Sequence, residues 1–200
     1  MWHINNNVSV FMPLAHTWSE ELIAEWLILK GYFVSTDVPI GSGGRGGRKE
    51  ADIIGFKALD NGKYEILYVE VSSCYQSAKN IVGEVNKKFS SDRVENIKKL
   101  LRYHIGDAVE NASYKKVFIC LANTIAVNKA RDMLKKDGIE VKTIDEIIYE
   151  IIDTVNKWET HLKNEGIIRR STQAAPPQSL WLIQLLHYLY INGRLTLQQR

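Results

Sequence analysis

The pattern of apolar and polar positions divides the chain into alternating helical and extended segments. In residues 17–30 the apolar side chains Leu22, Ile23, Trp26, Leu27 and Leu29 recur at helical spacing, and Gly31 supplies a stop. Residues 32–40 predict a strand. Residues 41–49 read Gly-Ser-Gly-Gly-Arg-Gly-Gly-Arg-Lys; the glycines sustain neither a helix nor a strand interior, so a loop carrying Arg45, Arg48 and Lys49 is expected. Two β-rich runs follow at 51–56 and 64–72, and Asp60-Asn61-Gly62 between them has hairpin-turn chemistry. Residues 77–105 predict helix in one or two pieces: Asp92 with Glu95 forms a capping start, and Val94, Ile97 and Leu101 line one face. Beyond them come a strongly apolar strand at 115–122, a helix at 127–136, a short strand at 139–142 and a helix at 144–162.

The order α-β-β-β-α-β-α-β-α implies an α/β fold with a mixed sheet covered by helices. Small residues and a Pro-Pro pair at 171–178 read as a linker. The chain therefore divides into a main domain at 1–165, a linker at 166–178 and a C-terminal helical appendage at 179–200. The last helix carries Leu180, Trp181, Ile183, Leu185, Leu186 and Leu189, so it is apolar nearly all round and must be buried. Its partner is either its own domain or a second subunit in a homodimer.

Composition narrows the field only slightly. With 200 residues, 45% of them hydrophobic, the chain can bury one proper core. A net charge of +3 is too mild to name nucleic acid as a partner by itself. The N-terminus shows no basic stretch followed by an apolar run, which reads against a secretory leader. The apolar run at 180–191 falls short of the roughly 20 residues that a membrane helix needs. Cys74 and Cys120 have no metal-ligand spacing, so the expectation is a reduced intracellular setting, the cytoplasm, without a zinc site. The five histidines, His3, His16, His104, His161 and His187, show no ligand spacing and no nucleophile partner, and no chemistry is assigned to them.

The acids are more informative. Side chains alternate across a strand, so Asp52 shares a face with Ile54 and Phe56, and Glu70 shares one with Ile66, Tyr68 and Ser72. Both faces look buried, and a buried carboxylate requires a cation, a hydrogen-bond donor or a metal nearby. Helical phase sets Glu20 between Ile23, Ala24 and Leu27, pointing inward, with Glu21 and Glu25 on the polar side. Structural alternatives stand beside these readings. Glu20 completes a capping box with Thr17, Asp52 pairs with Arg48 or Lys49, and Glu70 makes a cross-strand ion pair. Lys87, Lys88, Arg93, Lys98, Lys99 and Arg102, near Tyr103 and His104, form either a phosphate-binding surface or a solvated helix face.

Trp18-Ser19-Glu20-Glu21-Leu22-Ile23-Ala24-Glu25, Gly31-Tyr32, Glu50-Ala51-Asp52-Ile53-Ile54-Gly55 and Tyr68-Val69-Glu70-Val71-Ser72 together resemble the PD-(D/E)XK nuclease superfamily. The similarity is greatest to Mrr-like restriction endonucleases and archaeal Holliday-junction resolvases, and covers about residues 16–122. It implies a restriction-endonuclease-like fold and a metal-dependent DNA endonuclease in which Glu20, Asp52, Glu70 and the Val71 carbonyl hold Mg²⁺ or Mn²⁺. The ion would activate a water that attacks a backbone phosphorus. Arg45, Arg48 and Lys49 would track DNA phosphates. The family pattern ends its third strand in E-x-K, whereas Ser72 stands in the lysine position here. A neutral hydroxyl cannot supply the fixed charge. Lys49, Gln76 and Lys79 are the nearest replacements in sequence. The alternative is a catalytically inactive nuclease-fold protein that binds DNA or scaffolds a complex.

Overall fold

The computed structural model describes residues 17–42, 48–59 and 62–197. Arg45, His3, His16 and the turn residues Asp60 and Asn61 lie outside the described residues, as does the side chain of Arg48. The chain runs α1 (Trp18–Leu29), β1 (Phe33–Ser42), β2 (Arg48–Ala58), β3 (Tyr64–Ser72), α2 (Ala78–Lys88), α3 (Ser91–Ile105), a 3₁₀ turn (Gly106–Val109), β4 (Ala112–Cys120), α4 (Ile125–Lys135), β5 (Ile139–Thr143), α5 (Ile144–Asn164) and α6 (Trp181–Ile191). The five strands form one mixed sheet in the order β1-β2-β3-β4-β5. β1, β2 and β3 are antiparallel, whereas β3, β4 and β5 are parallel. The expected α/β class with helices on both faces is therefore observed.

Strand alternation divides the interior into two layers. Ile54, Ile66, Tyr68, Phe118 and Val141 meet Ile81 and Val85 of α2, Ile97 of α3 and Leu134 of α4. Ile53, Leu67, Val69, Val117 and Ile119 meet α1, α5 and α6 on the opposite face. The strands also reach into the glycine-rich segment: Gly41 pairs with Lys49 and Ser42 with Arg48, after a bulge between Pro39 and Gly41. The expected loop is shorter than its composition suggested, because antiparallel pairing continues past the first glycine. The capping start expected at Asp92 and Glu95 is not used either. Ser90 occupies the N-cap of α3 without a side-chain cap bond, and Glu95 pairs instead with Lys98 at 3.0 Å.

The terminal helix folds back onto its own domain. Leu180 and Ile183 are buried in the layer containing α1 and α5. This corrects the polar side assigned to α1: Glu25 is 2% exposed and Glu21 is also buried. The cause is electrostatic. Leu180, the N-cap of α6, offers no side-chain acceptor, and the Glu25 carboxylate accepts the amides of Leu182 at 3.1 Å and Ile183 at 2.9 Å. A carboxylate at a helix N-terminus satisfies unpaired amides and faces the positive end of the helix dipole. Burial, the largest influence, still holds the Glu25 carboxyl above its ordinary range against these two amides.

Cys74 and Cys120 are joined in a disulfide, both buried, with their Cα atoms 5.5 Å apart. Their spacing alone offers no reason to pair them, and a reduced pair was expected. Parallel pairing supplies the reason by setting Ser72 opposite Cys120, so that the chain leaving β3 passes over the end of β4. Among the described residues, no helix is long and apolar enough to cross a membrane.

Two stability outcomes follow. Glu25→Ala leaves two buried amides without an acceptor and should cost roughly 1–3 kcal/mol in urea unfolding, with Glu25→Gln retaining part of that. Reducing the disulfide removes a cross-link spanning 46 residues, and on loop-closure entropy should lower unfolding stability by up to about 4 kcal/mol, read from denaturant curves with and without reductant.

Candidate functional site

The β2–β3 pairing ends at Ile53 opposite Val69, and one further step of the same register sets Asp52 opposite Glu70. Both side chains project from the face covered by α2 and α3, as strand alternation from Ile54 and Tyr68 requires. Glu70 is 1% exposed. Asp52 is partly accessible, and its Oδ2 accepts the Val71 amide at 2.7 Å, tying it to the end of β3.

The positive charge at this site comes from α2. Lys88 Nζ lies 2.5 Å from Glu70 Oε2 and 3.3 Å from Asp52 Oδ2. Arg93, from the first turn of α3, places Nη1 3.4 Å from Glu70 Oε1. The Tyr68 hydroxyl stands 2.5 Å from Glu70 Oε1 and 2.9 Å from the Lys88 carbonyl, and its single proton serves one acceptor at a time. Lys88 reaches the site because α2 seats Ile81 and Val85 in the sheet layer, and position 88 continues the same face at helical spacing. It is also the last residue of α2, where the helix dipole favours a cation.

These charges act on one another. Burial, with the neighbouring Asp52 charge, pushes the Glu70 carboxyl up to about 7, against the pull of Lys88 and Tyr68. Burial alone would lower the Lys88 ammonium, but Glu70 and Asp52 outweigh it and hold Lys88 above its ordinary value. Glu20 is raised by partial burial and then by the charge of Asp52, so α1 brings it into electrostatic range of the strand acids. It is nonetheless engaged locally: its carboxylate accepts the Thr17 amide at 3.2 Å, and the capping box is complete. The inward orientation expected for Glu20 is thus replaced by a half-buried position at the helix start.

Ser72 and Gln76 are brought together, although not around Glu70. Ser72 Oγ lies 3.1 Å from Glu84 Oε1, and Gln76 Nε2 lies 3.1 Å from Glu84 Oε2, so one carboxylate of α2 clamps the end of β3 and the loop beyond it. Lys49 and Lys79 are exposed. Asp52 and Glu70 present oxygen donors of the kind hard divalent cations take, and they converge on the Lys88 ammonium. Among the described residues, no group of three or more His, Cys, Asp or Glu side chains is arranged to hold a metal.

Sequence reasoning missed Lys88 and Arg93 as members of this cluster. The signal for Lys88 was the series 81-85-88, an apolar stripe ending in a lysine. No family model matches the chain, and a comparison with curated proteins finds no match. The fold and site define an α/β protein with an acid pair, Glu70 buried and Asp52 partly accessible, bridged by a helix-borne lysine.

The raised Glu70 carboxyl carries a pH dependence. Its folded value of about 7 lies above the ordinary 4.5, so the folded state holds this proton more tightly than the unfolded chain does. That contribution is complete below the unfolded value and disappears as pH rises through the folded one. In chelator-containing buffer, unfolding stability should fall by up to about 3 kcal/mol between the two values, and Glu70→Gln should flatten the slope in that window.

Proposed function

We propose that this protein is a metal-dependent DNA endonuclease of the PD-(D/E)XK type that hydrolyses phosphodiester bonds. The observation that carries the reading is the Lys88 ammonium beside both Glu70 and Asp52. Ser72 leaves the family's lysine position without charge, and on this reading Lys88 would supply the missing cation beside the acids from a neighbouring helix. Burying a charge such as that of Glu70 is costly, and replacing a buried ion pair by apolar residues is often neutral or stabilising, which supports a functional reason for keeping it.

Asp52 and Glu70 are the residues that would hold the ion, with the Val71 carbonyl as a further ligand. When bound, the ion would lower the pKa of a water and offset charge on the leaving oxygen. Lys88 supplies a fixed positive charge for the phosphate oxygens during attack, and Arg93 adds a guanidinium suited to the same group. Arg45, Arg48 and Lys49 would track the DNA backbone. A second reading has one observation in its favour: Glu20 is engaged in its cap. On that reading the chain binds DNA without cutting it.

Nicking of supercoiled plasmid and branched DNA with Mg²⁺ or Mn²⁺ tests the choice. Asp52→Ala and Glu70→Ala should abolish cutting, and Lys88→Met should reduce it at least about 100-fold with folding retained, the scale seen when one transition-state charge partner is removed. Lys79→Met should leave the rate nearly unchanged. Cutting that survives Lys88→Met overturns the role given to that residue, and DNA binding without cutting under either metal favours the second reading.

A further inference from the structure

The sheet has two edges, and they are built differently. β1 carries Pro39, which has no amide to donate, a bulge between Pro39 and Gly41, and Asp37 at a φ of 52°. Each of these interrupts the regular row of groups that another strand would need. β5 reads Ile139-Glu140-Val141-Lys142-Thr143 and has no proline, bulge or positive φ. Among the described residues, no strand pairs with its outer side. A groove of about 1300 Å³ is lined by residues 138–142, by Arg131 and Lys135 of α4, and by Ile148 and Tyr149 of α5. Residues 195–197 also border the groove.

We propose that the outer edge of β5 joins two copies of this chain, antiparallel, about a twofold axis through Val141. The charge pattern favours this occupant: Lys142 bonds Glu150 and lies 3.3 Å from Glu140 within its own chain, so a second copy would share a cation already held at the edge. An antiparallel pair centred on Val141 sets Glu140 opposite the second copy's Lys142, and Lys142 opposite the second copy's Glu140. Both lie on the same face of the strand, since they are two residues apart. Opposite charges directly across an antiparallel pair stabilise it, and like charges destabilise it. Ile139 and Val141 are buried on the other face, so the apolar layer beneath α4 continues toward the junction. The contact is isologous and closes on itself, giving a dimer and no fibre. It also continues the sheet across the axis, covering an edge that would otherwise be open to indiscriminate pairing. The inference is independent of the nuclease reading, because it requires no catalysis.

Sedimentation or light scattering across a concentration series tests it with charge swaps on the full chain. The wild type should be a dimer. Glu140→Lys places lysines opposite lysines at both positions and should raise the dissociation constant roughly tenfold to a hundredfold, from about 1–3 kcal/mol over two pairs. The doubly swapped chain, Glu140→Lys with Lys142→Glu, regains complementarity and should dimerise again. Mixing Glu140→Lys with Lys142→Glu chains should produce a heterodimer that neither forms alone, with a thermal melt of each variant carrying Lys142→Glu showing that loss of its bond to Glu150 leaves the fold intact. Glu140 is exposed, so a thermal melt showing an intact Glu140→Lys fold makes its loss of dimer interpretable. A wild type that stays monomeric at every concentration overturns the proposal. So does a dimer that Glu140→Lys leaves unweakened, which would place the contact elsewhere, such as the exposed stripe Trp181, Leu185 and Tyr188 on α6.

Discussion

A carboxylate removed from water at the centre of a sheet can ionise only where positive charge is brought to it, and Glu70 sets that requirement for this fold. Lys88, Arg93 and the Tyr68 hydroxyl all converge on it. Each arrives from a different element, so α2, α3 and β3 must be in register before the acid is satisfied. Asp52 is held to the same point through the Val71 amide, and through it the β2–β3 pairing joins the arrangement. The polar cluster therefore requires that one strand register and two helix orientations be correct together.

The opposite face follows a parallel logic with different chemistry. There Glu25 serves as the acceptor for amides at the start of α6, a helix whose own N-cap provides none. One buried acid draws side-chain cations from neighbouring helices, and the other takes backbone amides from a segment about 157 residues away in sequence. In both cases a carboxylate is retained inside by donors from distant chain.

These distant donors mark the boundary of what could be read beforehand. Strand alternation placed Asp52 with Ile54 and Glu70 with Tyr68 correctly, because the two-residue period is local and strict. The element order and mixed sheet followed for the same reason. Helical phase misjudged Glu21 and Glu25, since periodicity records which side of a helix is polar and carries no information about a later helix that covers it. The cysteines escaped because their pairing depends on β3 lying parallel to β4, a tertiary fact with no local sign. Searching near Ser72 along the chain led to Lys49, Gln76 and Lys79, whereas the cation comes from two turns further along a helix that doubles back. Its position at the end of the stripe 81-85-88 was visible, but a lysine in a buried row reads more simply as the solvated end of a helix.

Mounting the cation on a helix changes what controls its placement. A lysine on β3 would be positioned by the hydrogen-bonded ladder of the backbone, which is nearly insensitive to the size of surrounding side chains. Lys88 is positioned by how deeply Ile81 and Val85 seat in the layer beneath, and by the clamp that Glu84 makes to Ser72 and Gln76. Packing density thereby becomes an electrostatic variable. A methyl group added or removed in that layer would displace a charge relative to two carboxylates, so apolar positions that touch neither acid can still tune the field between them.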